Sequence, residues 1–284
     1  MDSDEKSSQS STLARGLRVL ELVSLQGEGR GVTLQEITRA MLIPRSNAYR
    51  YVATLCEEGW LKRDGNTFRY QLGWKTLKVA GAALQDLELR NIARPFLRQL
   101  AEQSQLTVHL AILTGDSILY IDKVESDSPI QMRSRLGMTA PCYCTAMGKA
   151  MLAAMEPCRV RGLLQDPLVA RTANTIADLD AMQSHLDSIR HSGFAIDNEE
   201  NEPGIGCIGA AIFNYEDQVI GGVSVSALIQ LLDETTIQQL SERVRQVARS
   251  ISQSMGCPNE YWFLENSKEI QLGREALEVM KEVN

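Results

Sequence analysis

Residues 33–59 read TLQEITRAMLIPRSNAYRYVATLCEEG, and this stretch decides how the N-terminal part of the chain folds. Thr33 offers an N-cap oxygen, and Glu36 three residues later can reach back to the cap's own N–H, the reciprocal pattern that starts a helix. That helix runs from Leu34 to about Met41 and is short and amphipathic. After a turn at Leu42-Ile43, Pro44 suits the first turn of a further helix, where its missing N–H is harmless, and Gly59 stops that helix after Glu58. Ala48, Val52 and Leu55 form its apolar stripe. Arg45, Ser46, Asn47, Tyr49 and Arg50 then fall on the opposite side near its N-terminus, and these are hydrogen-bonding side chains of the length that reaches base edges and phosphates.

Upstream, Leu13, Leu17 and Leu20 recur at helical spacing, and Gly27, Gly29 and Gly31 break that first helix. Downstream, Trp60–Arg63, a turn at Asp64-Gly65-Asn66 and Thr67–Tyr70 read as a hairpin, whose Lys62, Arg63 and Arg69 make it a basic wing. The segment from Leu72 to Leu89, apolar at Leu77, Ala80, Leu84 and Leu87, predicts a connecting helix at a domain boundary. The net charge of −7 argues against a nucleic-acid binder until its distribution is seen: residues 11–78 carry +5 and residues 79–284 carry −10. A basic module on an acidic body attracts phosphate locally while the body discourages indiscriminate adhesion.

The remaining two hundred residues mix both periodicities. A helix is expected around Ile92 to Gln103, then alternating strands at Thr107–Leu113 and Ser117–Val124, and a third strand at Ile130–Arg135, all antiparallel. Helices follow at Thr145–Met155, Glu156–Gln165 and Asp178–His191. A second hairpin joins Cys207–Phe213 to Val219–Val225, and a long last helix shows Ile237, Leu240, Val244, Val247, Ile251 and Met255 at three- and four-residue steps. The fold class is therefore α+β.

Other chemistries find little support. Gly204-Ile-Gly206-Cys-Ile-Gly209 matches the dinucleotide fingerprint literally, but it follows an acidic stretch and opens a strand, the inverse of the context that pattern needs, so its glycines are read as allowing close backbone approach. Cys142-Tyr-Cys144 has no second ligand pair, and neither metal nor cofactor is expected. Asp197, Glu199, Glu200 and Glu202 read mostly as a solvated loop. His109 stands alone on a strand as a satisfied interior group, while His185 and His191 lie on or at the end of a surface helix, so no catalytic array is evident. No apolar run is long enough to span a membrane and the polar start has no signal segment, which predicts a cytoplasmic protein without disulfides.

From Thr12 to Gly256 the chain resembles the IclR-type bacterial transcription regulators. The resemblance rests on LARGLRVL (13–20), PRSNAYR (44–50), TAMGKA (145–150), GFAIDNEE (193–200) and GCIGAA (206–211). It implies a winged helix-turn-helix at 12–72 behind a flexible 1–11, a linker helix at 73–90, a GAF-like effector domain at 91–256 and an extension at 257–284. It also implies a homodimer or dimer of dimers on operator DNA and a small-molecule effector. By position the effector would meet Ala146 and Met147 at a helix start, Asp197, Cys207, Ser224 and Ser226, with Met132 and Ile205 as apolar wall. Within the family the look is that of the regulators responding to 2-keto-3-deoxygluconate and related sugar acids. Asn47 stands where the family usually has Thr, Met147 is bulkier than the usual residue, and the tail either covers an oligomer surface or is a simple appendage. An enzyme acting on a small acid through the C-terminal domain, and an adaptor for RNA or protein using the winged helix, are the competing readings.

Overall fold

The computed structural model describes residues 11–26, 30–85, 88–125 and 132–258, and the chain divides between Asp86 and Leu87 into two units. In the first, α1 (Ser11–Gln26), α2 (Leu34–Met41) and α3 (Arg45–Glu57) are followed by β1 (Leu61–Arg63), β2 (Tyr70–Leu72) and α4 (Trp74–Gln85). The capping box forms: the Thr33 N–H donates to Glu36 Oε2 at 2.7 Å and the Glu36 N–H to Thr33 Oγ1 at 3.2 Å. Leu42 takes φ 52° in the turn between α2 and α3, a left-handed conformation that reverses the chain in minimal length. Pro44 precedes the first helical residue of α3, and Gly59 follows its end at φ 75°.

Val19, Val23, Ile37, Ala48, Val52, Leu61 and Tyr70 close the small core of this unit. Each of the large aliphatic side chains among them stabilises it by about 1.5–3 kcal/mol through burial. The inward face of α1 is thus carried by Val19 and Val23, whereas Leu13 and Leu17 are 63 % and 51 % exposed. The hairpin pairs Leu61 with Leu72 and Arg63 with Tyr70, and Val32 exchanges two 2.8 Å backbone hydrogen bonds with Tyr70 to extend it.

The second unit begins with α5 (Glu88–Ser104) and builds one antiparallel sheet from β3 (Thr107–Thr114), β4 (Ser117–Val124), β5 (Thr139–Pro141), β6 (Ala195–Asn198), β7 (Ile205–Phe213) and β8 (Val219–Leu228). Its order is β5-β4-β3-β8-β7-β6. One face is apolar at Val108, Leu110, Ile208, Ala210, Val223 and Val225, all buried, and packs under α5 and α9 (Glu234–Ser254). The other face receives α6 (Ala146–Ala153), with α8 (Leu179–Ser192) behind it; α7 (Pro157–Leu163) connects them.

Three expectations need correction. Residues 132–135 form no strand; the edge strand is β5, because Thr139–Pro141 rather than the Arg-rich stretch before it pairs with Ser117–Leu119. The helix expected from Ile92 starts at Glu88, since Leu89 already faces the core. The acidic stretch is not a solvated loop: Asp197 and Asn198 belong to β6, and Asp197 and Glu200 are 2 % and 3 % exposed. The 257–284 tail lies outside the described residues from position 259 onward.

Candidate functional site

In the N-terminal unit, burial of Ala48 and Val52 turns the other side of α3 outward. Arg45, Ser46, Tyr49 and Arg50 are exposed and Asn47 is half-buried. Lys62 and Arg63 are exposed on β1, and the Arg63 guanidinium lies 4.7 Å from the Phe68 ring centroid, which stiffens the wing. Arg69 differs from them. Its Nη1 donates to the Gly31 carbonyl at 2.8 Å and reaches Glu36 Oε2 at 3.3 Å, tying the wing to the start of α2. The Glu36 carboxyl is held below its usual range chiefly by the Thr33 N–H, with Arg69 adding to it.

In the C-terminal unit the strand register sets two polar rows on the sheet face that carries α6. Asp197, Cys207, Ser226 and Thr107 stand opposite one another across β6, β7, β8 and β3. In the next row Ala195, Gly209, Ser224, His109 and Lys123 do the same, out to β4. Alternation along β7 puts Ile205 on this face too. Gly209 has no side chain for a reason: a Cβ there would sit 2.6 Å from the Met147 nitrogen, so α6 begins directly on β7. Thr145 makes no side-chain cap, leaving the first N–H groups of α6 to other partners.

A hydrogen-bonded line crosses these rows. Cys207 Sγ is 3.1 Å from Ser226 Oγ, which is 3.4 Å from His109 Nδ1, and His109 Nε2 is 2.6 Å from Ser134 Oγ. Lys123 Nζ donates to the carbonyls of Met132 and Ser134, each at 2.9 Å, fastening that segment beside the sheet. The fold thus brings together Asp197, Ile205, Cys207, Ser224 and Ser226 on one face, Ala146 and Met147 on the helix laid against it, and Met132 at its margin.

Burial governs the electrostatics here. Asp197 Oδ1 accepts from the N–H groups of Glu200 (2.7 Å) and Asn201 (3.3 Å), yet desolvation, helped by the Glu200 charge, pushes its carboxyl up to about 7. Burial and then Lys123 push His109 down to about 3, so its ring is neutral. Burial likewise raises the Cys144 thiol to about 12 and Cys207 further, which leaves both as weak hydrogen-bonding groups and not nucleophiles.

The sequence reading missed a buried charge cluster beside these rows. Lys149 on α6 is fully buried and pairs with Glu200 Oε1, and its Nζ lies 3.2 Å from His185 Nε2. His185 is therefore no surface residue in function: burial and Lys149 hold it down at about 3, an acceptor for the ammonium. The Thr175 hydroxyl, at 2.7 Å from the Glu200 carbonyl, clamps the acidic turn from outside. The one available signal was Lys149 itself, a lone cation in the otherwise small and apolar run 145–155.

Comparison with known proteins fits this arrangement. Residues 12–65 match the family described as the IclR helix-turn-helix domain, and residues 81–253 match the bacterial transcriptional regulator IclR C-terminal domain. The HTH-type transcriptional regulator KdgR of Escherichia coli K12 is 32 % identical over 249 residues, covering 87 % of this chain and 95 % of KdgR. The crystal structure of Thermotoga maritima IclR aligns with a TM-score of 0.70 at 34 % identity, over 87 % of this chain and all of that one. An IclR homologue from Microbacterium hydrocarbonoxydans, solved in complex with 4-hydroxybenzoate, aligns with a TM-score of 0.73 at 25 % identity, over 86 % of this chain and 99 % of that one. Among the described residues no helix is long and apolar enough to cross a membrane. With a basic winged helix-turn-helix in one unit, a sheet-borne polar site in the other and family matches spanning both, the chain belongs to the IclR family of DNA-binding transcription regulators.

Proposed function

We propose that this regulator controls a catabolic operon, binding palindromic operator DNA with residues 12–72 and a sugar acid with residues 91–256, the two joined by a linker over 73–90. Arg45, Ser46, Asn47, Tyr49 and Arg50 enter the major groove, and Lys62 and Arg63 of the wing meet the phosphate backbone. Arg69 joins them in the basic wing and also braces it through Gly31 and Glu36. Leu13 and Leu17 of α1 and Trp74 and Leu77 of α4 remain exposed, an apolar surface suited to a homodimer or dimer of dimers whose two-fold axis matches the operator.

The observation that carries the effector half is the row Asp197, Cys207, Ser226 and Thr107, with Ser224 beside it. These groups suit the hydroxyls of a sugar acid, while N–H groups at the start of α6 suit its carboxylate. Met132, Ala146, Met147 and Ile205 complete the pocket. The homologue's 4-hydroxybenzoate is itself a carboxylate bearing a hydroxyl, which supports this ligand class. At 5 % aromatic residues the chain has few rings with which to stack an aromatic acid.

A thermal-shift titration tests the effector half. 2-Keto-3-deoxygluconate at 100 times its dissociation constant should add about 2.7 kcal/mol to stability. No shift with any sugar acid, on protein that still binds DNA, rejects it. Gel shifts with DNA upstream of the protein's own operon test the other half. Arg50→Ala should weaken binding to all sequences and lower the salt slope by about one, whereas Asn47→Ala should relax preference at one base pair by about 1–3 kcal/mol. Equal effects of the two substitutions on every operator would contradict this division of roles.

A further inference from the structure

His109 stands on β3, between Ser224 of β8 and Lys123 of β4 in the second of the rows described above. Its two ring nitrogens face different elements: Nδ1 toward Ser226 of β8 and Nε2 toward Ser134 of the segment held by Lys123. The first contact, at 3.4 Å, is long for a hydrogen bond and the second, at 2.6 Å, is short. Tyr120 of β4 lies against the imidazole with ring centroids 5.3 Å apart and planes tilted by 59°. Its hydroxyl has no hydrogen bond with any described residue, and burial first, then the charges of Cys207 and Asp197, push its pKa up. A polar ligand in contact with Cys207 and Ser226 is therefore next to the loosely satisfied Nδ1 of His109, whose ring Tyr120 flanks.

We propose that His109, with Tyr120 as its companion, is a specificity-determining residue of the effector site that binds a hydroxyl group of the ligand at Nδ1. The chemistry is selective. A neutral imidazole carries one donor and one acceptor, and a hydroxyl can satisfy whichever of these Ser134 leaves over, because it too both donates and accepts. A methylene at the same place leaves Nδ1 with only its long contact to Ser226 and gives the Tyr120 oxygen no bond, and this penalty discriminates better than an apolar pocket discriminates by size. Lys123 contributes in two ways: its charge opposes protonation of the ring, and its bonds to Met132 and Ser134 hold the loop that fixes Nε2. The site thus reads hydroxyls in mid-sheet and a carboxylate at the start of α6.

This inference rests on the sugar-acid reading, and calorimetric titration of the full chain separates the two. The probes are 2-keto-3-deoxygluconate and 2-oxohexanoate, which share a six-carbon 2-oxo acid skeleton and differ in the three hydroxyls. His109→Phe should weaken binding of 2-keto-3-deoxygluconate about 10- to 100-fold, with 2-oxohexanoate changed less than about threefold. His109→Gln, which keeps a donor and an acceptor, should recover most of the loss. Tyr120→Phe removes one oxygen, keeps the ring contact and serves where His109→Phe does not fold; it should also weaken the hydroxylated probe selectively. Equal losses for both probes, or none for either, overturn the role of His109 while leaving the sugar-acid reading intact. If the unaltered protein binds the two probes equally or binds neither, both fall together.

Discussion

Lys149→Met should lower the stability of the C-terminal unit by about 3–5 kcal/mol, because it leaves the Glu200 carboxylate buried without its counter-charge. Lys149 and Glu200 are 0 % and 4 % exposed at the side chain, and Glu200 Oε2 has no hydrogen-bond partner among the described residues, so Lys149 is the main compensation this carboxylate has there. His185 loses its hydrogen-bond donor in the same substitution. The double variant Lys149→Met/Glu200→Gln removes both charges and keeps much of the volume. It should recover to within about 1–2 kcal/mol of the unaltered protein, since a buried ion pair contributes little net stability over a well-packed neutral pair. Urea denaturation followed by circular dichroism gives both values. A single variant as stable as the parent, or a double variant no better than the single, would show that the pair does not act in this way.

Asp197→Asn should have the opposite sign and a pH dependence. In the folded protein the Asp197 carboxyl is raised to about 7 from the ordinary value of 3.8, with burial as the leading cause and the Glu200 charge second. A carboxyl raised on folding leaves stability fully present below its unfolded pKa. That stability is lost as pH climbs through the folded pKa, because the unfolded chain ionises first. Between about pH 4 and pH 7 the unaltered protein should therefore lose about 4 kcal/mol that the Asn variant keeps. The amide oxygen of Asn still accepts the N–H groups of Glu200 and Asn201. Stability of the two proteins should nearly coincide at pH 4 and diverge until pH 7, with the variant the more stable. Parallel curves across that range would exclude a buried, raised carboxyl. If Asp197 also holds the effector, the gain in stability accompanies a loss of ligand affinity, the usual exchange at a functional site.

Much of the N-terminal unit was legible because its signals are local. The capping box at Thr33 and Glu36, the proline before α3 and the glycine after it act within a few residues and were read as they occur. The orientation of α1 was less legible. Leu13 and Leu17 suggested an apolar stripe by spacing alone, while the core takes Val19 and Val23. Both choices are compatible with a 3.6-residue period, and the positions of α2, α3 and β2 decide between them. The absence of a strand at 132–135, part of the stretch expected to be one, has a similar cause: a short edge strand depends on its neighbour more than on its own composition.

The sequence alone determined the class of the protein, a basic winged helix-turn-helix followed by an α+β domain, because helix ends, alternation and local charge depend on near neighbours in the chain. Only the tertiary structure decided what the acidic stretch and the histidines do. Glu200 meets Lys149 across 51 residues of sequence, and His109 meets Ser226 across 117. Whether a carboxylate is solvated or buried, and whether an imidazole is idle or faces a ligand, is set by partners that the strand order β3-β8-β7-β6 brings together. No periodicity in the chain encodes that distance, since desolvation and its compensation act through space.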